Sequence, residues 1–264
     1  MKCLYFDCFA GISGDMTLGA LIDIGADVSE IRNGLSRLNV DGWLLTLNRE
    51  LRCGISGTRA QVTLNSDSHN NYNQQHFSPG DHPDFHVHAP HPSRSLKDIE
   101  SLILRASLPP KVADMSLKIF RNLAEAEAKI HNKASEEIHF HEIGAIDSIV
   151  DIIGTVLALN SLDFEEVWSS PVEVGGGMMH CGHGLMPIPA PATAELLCSI
   201  PITSGSVNHE ATTPTGAAIL ANIVSCFPKQ LNGRILQTGY GIGGRVLADF
   251  PNVLRVYMVE VESA

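Results

Sequence analysis

The stretch Lys2–Gly25, KCLYFDCFAGISGDMTLGALIDIG, decides the fold class. Lys2 to Phe9 is a mostly apolar run that suits a buried strand, and Gly11, Ser13 and Gly14 punctuate its end. Met16, Leu18, Leu21 and Ile22 then recur at helical spacing as far as Gly25. A strand, a tight turn and a helix in that order predict an α/β (or α+β) fold, a mixed sheet with packed helices.

Working outward, Leu44–Leu47 and Thr58–Leu64 read as two short strands that can pair as a hairpin. Periodicity then stops. From Asn65 to Ser93 the chain is rich in His, Asn, Asp, Ser and Pro and too long for an ordinary connection, so residues 65–93 are expected to be a mobile His-rich loop. Ser95 and Asp98 are spaced as a capping box ahead of Leu96, Ile99, Leu102 and Ile103. Pro109 and Pro110 open a second helix with a stripe of Val112, Met115, Ile119, Phe120, Leu123 and Ile130. Ile138–His141 suits a short extended piece, and Ile146, Ile149, Val150, Ile153 and Leu157 mark another helix. Val167–Val174, Ala192–Cys198, Gly216–Ser225, Ile235–Gly239 and Val253–Val261 follow as strand, helix, helix, strand and strand. One core over residues 1–264 is expected.

The composition narrows the function. With 264 residues, 44% hydrophobic and 18% charged, the chain can bury a real core, which excludes disorder and a disulfide miniprotein. A formal charge of −11 repels phosphate backbones and anionic lipid surfaces, so neither nucleic acid nor membrane is an expected partner. The six cysteines (Cys3, Cys8, Cys53, Cys181, Cys198, Cys226) form no CxxC pair, and no apolar run approaches the roughly 20 residues of a membrane span. The expected location is the cytoplasm.

Four features carry chemistry. The first is the opening turn, where Ser13, Gly14 and Asp15 stand at a helix N-terminus whose N–H groups and dipole favour a phosphate or carboxylate. Asp7 or Asp15 can hold a cation or activate a bound group; equally, Asp15 can be a helix cap and Asp7 can bond its own loop. The second is the loop, with six of the twelve histidines: His69, His76, His82, His86, His88 and His91. His82, His86, His88 and His91 are candidates for capture of nickel, zinc, copper or cobalt, against the reading of a solvated tract with adventitious affinity.

The third is His139-Phe140-His141-Glu142. In a strand, His139 and His141 share a face about 6 to 7 Å apart and can chelate one ion. Asp147 and Asp151, four apart on the following helix, can add oxygen ligands or second-sphere bonds; the alternative is a solvated helix flank. The fourth is glycine-rich. In Gly175–Pro191, His183 is a better ligand candidate than Cys181, and the alternating prolines suit an extended connector. In Glu210–Gly216, Thr213 and Thr215 precede a helix and offer a second anion cradle, or merely a capped helix. Gly239–Gly244 lacks the strand-to-helix context of a dinucleotide-binding loop; a glycine-rich bend that lets another segment pack closely accounts for it.

Six blocks in order, Phe6–Met16, Leu123–His131, His139–Ser148, Pro187–Leu197, Thr213–Ala217 and Tyr240–Gly243, resemble the nickel-insertion proteins of the LarC type. The resemblance covers almost the whole chain. It implies CTP-dependent insertion of nickel into pyridinium-3,5-bisthiocarboxylic acid mononucleotide, which completes the nickel-pincer cofactor of lactate racemase, with one nickel–carbon and two nickel–sulfur bonds. The implied partners are that mononucleotide, other proteins of the lactate racemase pathway and a smaller C-terminal domain. The family's C-terminal domain, with which CTP and its divalent cation are associated, is absent from these 264 residues. A homo-oligomer is expected for the complete enzyme.

Combining residues and resemblance, the expected nickel ligands are His139, His141 and Glu142, with Asp147 and His183 in support. Asp7 or Glu142 is the candidate base for the pyridinium C–H proton. Ser13, Gly14, Asp15, Thr213 and Thr215 are the candidate substrate-binding residues. A nickel store acting through the loop alone is a competing reading. A second, an aspartate-based phosphohydrolase built on Asp7, lacks the acid that Phe9 would have to supply.

Overall fold

The structure is a computed structural model. It describes residues 1–64, 94–140, 146–181 and 184–261, with His139 described by its backbone only. In chain order its elements are β1 (Lys2–Asp7), α1 (Gly14–Asp23), α2 (Val28–Ser36), β2 (Trp43–Arg52), β3 (Ile55–Leu64), β4 (Arg94–Ser95), α3 (Leu96–Arg105), α4 (Pro110–His131), β5 (His139–Phe140), α5 (Ile146–Asn160), β6 (Glu166–Ser169), β7 (Val172–Glu173), β8 (Met178–Cys181), β9 (Gly184–Pro187), α6 (Pro191–Leu196), β10 (Ile202–Thr203), α7 (Pro214–Ile223), β11 (Arg234–Ile242) and β12 (Val253–Glu260). The expected loop over 65–93 lies outside the described residues.

Among the described residues the main sheet has six strands in the order β2-β3-β11-β12-β1-β6. It is mixed: β1 runs antiparallel to β12 and parallel to β6, while β11 runs antiparallel to β12 and parallel to β3. The period of two in β1 decides which side chains face the helices. Leu4, Phe6 and Cys8 enter the main core with α1 and α5, whereas Cys3 and Tyr5 join Val259, Tyr257 and Trp168 on the other face. Helix α1 lies against β3, β11 and β12, and α5 packs in turn against α1, α2 and α4. Close approach of α1 to the sheet is made possible by the glycines of Tyr240–Gly243 and its surroundings: a Cβ on Gly241 would stand 1.7 Å from the Met16 carbonyl oxygen. The close packing expected there is present, with Gly239 and Gly241 on β11 and Gly243 and Gly244 in the bend just beyond it.

Most expected elements appear. Ser95 and Asp98 form the reciprocal capping box of α3, with Ser95 N–H donating to Asp98 Oδ2 at 2.9 Å and Asp98 N–H to Ser95 Oγ at 3.3 Å. Pro110 opens α4, which ends at Asn132 in the left-handed region. Five details differ. The β2–β3 hairpin runs through Arg49, Glu50 and Arg52, because Glu50 takes Arg52 and Arg59 as ion partners and the ladder continues to Arg52↔Ile55. Helix α2, capped by Asp27, has a narrow buried stripe of Ile31, Gly34 and Leu35 that the sequence pattern does not reveal. The Val167–Val174 strand is broken at Ser170-Pro171 into β6 and β7. The connector around Met178–Pro187 is a hairpin, since Pro187 closes the ladder at its end, opposite Met178. On α4, Ile130 is 42% exposed rather than part of the buried stripe.

Candidate functional site

Two turns that are 200 residues apart in sequence are zipped together. Thr213 N–H donates to the Ile12 carbonyl at 3.1 Å, and Ile12 and Thr212 form a parallel bridge. The contact requires small residues: a Cβ on Gly216 would stand 2.1 Å from the Ile12 carbonyl oxygen, and Gly11 has φ +84° with Ala211 equally close. The zipper sets the N-termini of α1 and α7 side by side. The N-terminus of α5 adds Asp147, Ser148 and Asp151, and β3 closes the remaining side with Arg59, Ala60, Gln61 and Val62. Together with Ser13, Gly14, Asp15, Thr213 and Thr215 these residues line one cleft of about 330 Å³.

The walls carry both signs of charge. Three helix N-termini and the Arg59 guanidinium favour an anion. Thr213 Oγ1 accepts from Gly216 N–H at 3.2 Å and lies 2.9 Å from Thr215 Oγ1, so both hydroxyls are held at the rim of α7. Ser13 stands at the N-cap of α1 in extended conformation, but its hydroxyl donates to the Asp15 carboxylate instead of accepting from the helix. Asp15 Oδ1 also accepts from Met16 N–H at 2.9 Å. Asp147 is exposed and accepts from Ser148 N–H at 2.8 Å.

Burial raises the Asp15 carboxyl above the usual carboxylate range, and the bonds from Ser13 and Met16 only partly offset it. Burial also pushes Asp151 well above that range, with the Asp15 and Asp147 charges adding to the effect. Asp151 Oδ1 is sealed from solvent and has no hydrogen-bond partner among the described residues. Nη1 of Arg59 is likewise buried and unpartnered, while its Nε lies 3.6 Å from Glu50 Oε1. Buried polar atoms without partners are uncommon in folded proteins, and here two of opposite character belong to walls of the same cleft.

Of the residues singled out by sequence, Ser13, Gly14, Asp15, Asp147, Asp151, Thr213 and Thr215 come together in this cleft. Asp7 does not line it. Its carboxylate takes Nε and Nη2 of Arg255, the Nε bond being 2.9 Å, and the guanidinium stacks over the Phe9 and Tyr257 rings. His141, Glu142, His183, His82, His86, His88 and His91 lie outside the described residues, as does the His139 side chain. Cys181 is half-buried on β8. Among the described residues no group of three or more His, Cys, Asp or Glu closes round a point that a metal ion can occupy. Sequence reasoning missed Arg59, Gln61 and Ser148; a charged residue in a strand beside small Ala60 was the one available signal for Arg59. No helix among the described residues is long and apolar enough to cross a membrane.

A family model described as nickel insertion protein matches residues 4–264. A Clostridium kluyveri protein named pyridinium-3,5-bisthiocarboxylic acid mononucleotide nickel insertion protein is 49% identical over 263 residues, covering 99% of this chain and 63% of its own length. Proteins of the same name from Clostridium acetobutylicum and Akkermansia muciniphila are each 46% identical, covering 100% and 99% of this chain and 65% and 61% of their own lengths. The chain thus spans less than two thirds of the length of these curated relatives. No solved structure matches it.

Proposed function

The chain belongs to the nickel insertion protein family, and from that premise we propose that it carries the nickel-handling step of cofactor assembly on a pyridinium mononucleotide. The observation that carries this reading is covalent connection. Segment 65–93, with half of the chain's histidines, follows directly on β3, whose Arg59–Val62 form one wall of the cleft. Segment 141–145, with His141 and Glu142, leads directly into α5, whose Asp147 and Asp151 form another. Imidazole donors suited to a borderline cation such as nickel are therefore tethered to both sides of an anion-favouring cleft.

In this reading nickel is cargo. His82, His86, His88 and His91 capture it, and His139, His141 and Glu142 hold it for transfer, with Asp147 and His183 as further ligands. Ser13, Gly14, Asp15, Thr213 and Thr215 bind the mononucleotide phosphate, and Arg59 joins them as a cation in the same cleft. Formation of a nickel–carbon bond releases a ring proton, for which Glu142 or Asp7 is the acceptor; Asp7 would first have to leave Arg255. CTP and its divalent cation would bind the part of the longer relatives that these residues do not span, and the finished cofactor would serve lactate racemase in the cytoplasm. A homo-oligomer of the complete enzyme belongs to the same proposal.

The test is nickel titration of the wild type and the double variant His139→Ala/His141→Ala, followed by cofactor synthesis with CTP and the remaining part of a full-length relative supplied in trans. The expected result is loss of one high-affinity nickel and of product in the double variant. Unchanged binding in that variant eliminates the site. Loss of all nickel on removal of residues 65–93 alone supports a store rather than an insertase.

A further inference from the structure

The cleft holds more negative side chains than an anion site requires. Asp15, Asp147 and Asp151 line it beside three helix N-termini and Arg59. Carboxylates repel a phosphate at such range, so either they carry protons or a cation sits between them and the anion. Asp15 is already engaged, by the Ser13 hydroxyl and by Met16 N–H. Asp151 is not: Oδ1 is sealed and meets no donor, while the other side of the carboxylate packs on the Gly14 backbone so closely that a Cβ there would stand 2.8 Å from Oδ2. A carboxylate held that tightly against a helix start, with one oxygen lacking any donor among the described residues, is suited to a bound partner.

Among the described residues, the ligating groups at this point are oxygens. Carboxylate, hydroxyl and backbone groups suit a hard cation, whereas the imidazoles assigned above to nickel suit a borderline one. Magnesium in particular is bound through one or two carboxylates plus substrate phosphate and water.

We propose that the cleft is a site for a hard divalent cation of the magnesium or manganese type, separate from the nickel cargo, which Asp151 and Asp15 hold against a phosphate seated at the α1 and α7 N-termini. Arg59 takes the side of that phosphate away from the cation, which gives its unpartnered Nη1 an acceptor. The inference needs only the cleft and does not depend on the imidazole residues or on nickel insertion.

The experiment is titration of the 264-residue chain with Mn²⁺, followed by electron paramagnetic resonance, with and without inorganic phosphate. One Mn²⁺ per chain is expected, and phosphate should tighten it by about tenfold or more, with Mn²⁺ tightening phosphate by the same factor. Asp151→Asn should weaken Mn²⁺ by at least about tenfold. Arg59→Gln should weaken phosphate by about tenfold or more and leave the Mn²⁺–phosphate coupling in place, because that coupling arises from contact between the two ions. Circular dichroism melts establish that each variant is folded; should Asp151→Asn fail to fold, Asp15→Asn takes its place, and an unchanged Mn²⁺ affinity in it overturns the proposal. Mn²⁺ affinity unchanged in a folded Asp151→Asn, or nitrogen couplings of imidazole in the spectrum of the bound ion, overturns the proposal. Nickel binding by the same samples tests the nickel assignment separately, since loss of nickel with intact Mn²⁺–phosphate coupling counts against that assignment alone.

Discussion

At the scale of single residues, Asp151 has the most exacting environment in the cleft. Its carboxyl is raised by burial first and by Asp15 and Asp147 next, so the folded state favours the protonated form. The sign follows from linkage. Below the carboxyl's unfolded value both states carry the proton and there is no cost; as pH rises from there towards the folded value, ionisation is paid for by unfolding and stability falls. Asp151→Asn, which mimics the protonated acid, should therefore melt higher than wild type at pH 7–8, by roughly 2–4 °C for each kcal/mol recovered, and the advantage should vanish near pH 4. A melting difference that does not depend on pH would remove Asp151 from this account. Asp7 shows the opposite arrangement. Its charge is matched by Arg255, and that match was invisible in sequence because the partner is 248 positions away on β12.

At the scale of elements, the site is made by the contact between the turns that precede α1 and α7. Each was legible alone as a glycine-containing helix entrance with hydroxyls, from FAGISGD and EATTPTG. What local pattern cannot carry is their register against each other, because the bond from Thr213 to Ile12 spans 201 residues and depends on what Gly11 and Gly216 do not have. The same holds for α2, whose nine residues bury only Ile31, Gly34 and Leu35, and for the β8–β9 hairpin, where prolines suggested a connector. Helices with wide apolar stripes, α4 and α5 above all, were readable because the stripe itself encodes the buried face. A direct consequence is that Gly216→Ala should push Ile12 away and separate the two helix starts. Urea unfolding should show a loss of about 1–3 kcal/mol, typical of overpacking, accompanied by weaker phosphate binding. Normal phosphate affinity in a destabilised Gly216→Ala would show that the zipper supports the fold but not the cleft.

At the scale of the whole molecule, the cleft gathers residues from the first, third and last quarters of the sequence: Asp15 and Arg59, Asp147, and Thr215. A ligand that fills it bridges all of these, so it should raise the melting of the whole domain rather than of one subdomain. Phosphate with Mn²⁺ at about 100 times the dissociation constant should add about 2.7 kcal/mol to a single cooperative transition. Calorimetry would show this as one shifted peak, and a split peak would mean that the cleft joins units that unfold separately. Sheet order has a different consequence. Strand β12 lies between β11 and β1, pairing along nearly its full length with both, and Val261 N–H reaches the Met1 carbonyl at 3.0 Å. A ribosome reading this message must therefore deliver residue 260 before the first strand acquires its antiparallel neighbour. Until then the nascent polypeptide displays unpaired strand edges, the kind of surface that chaperones shield.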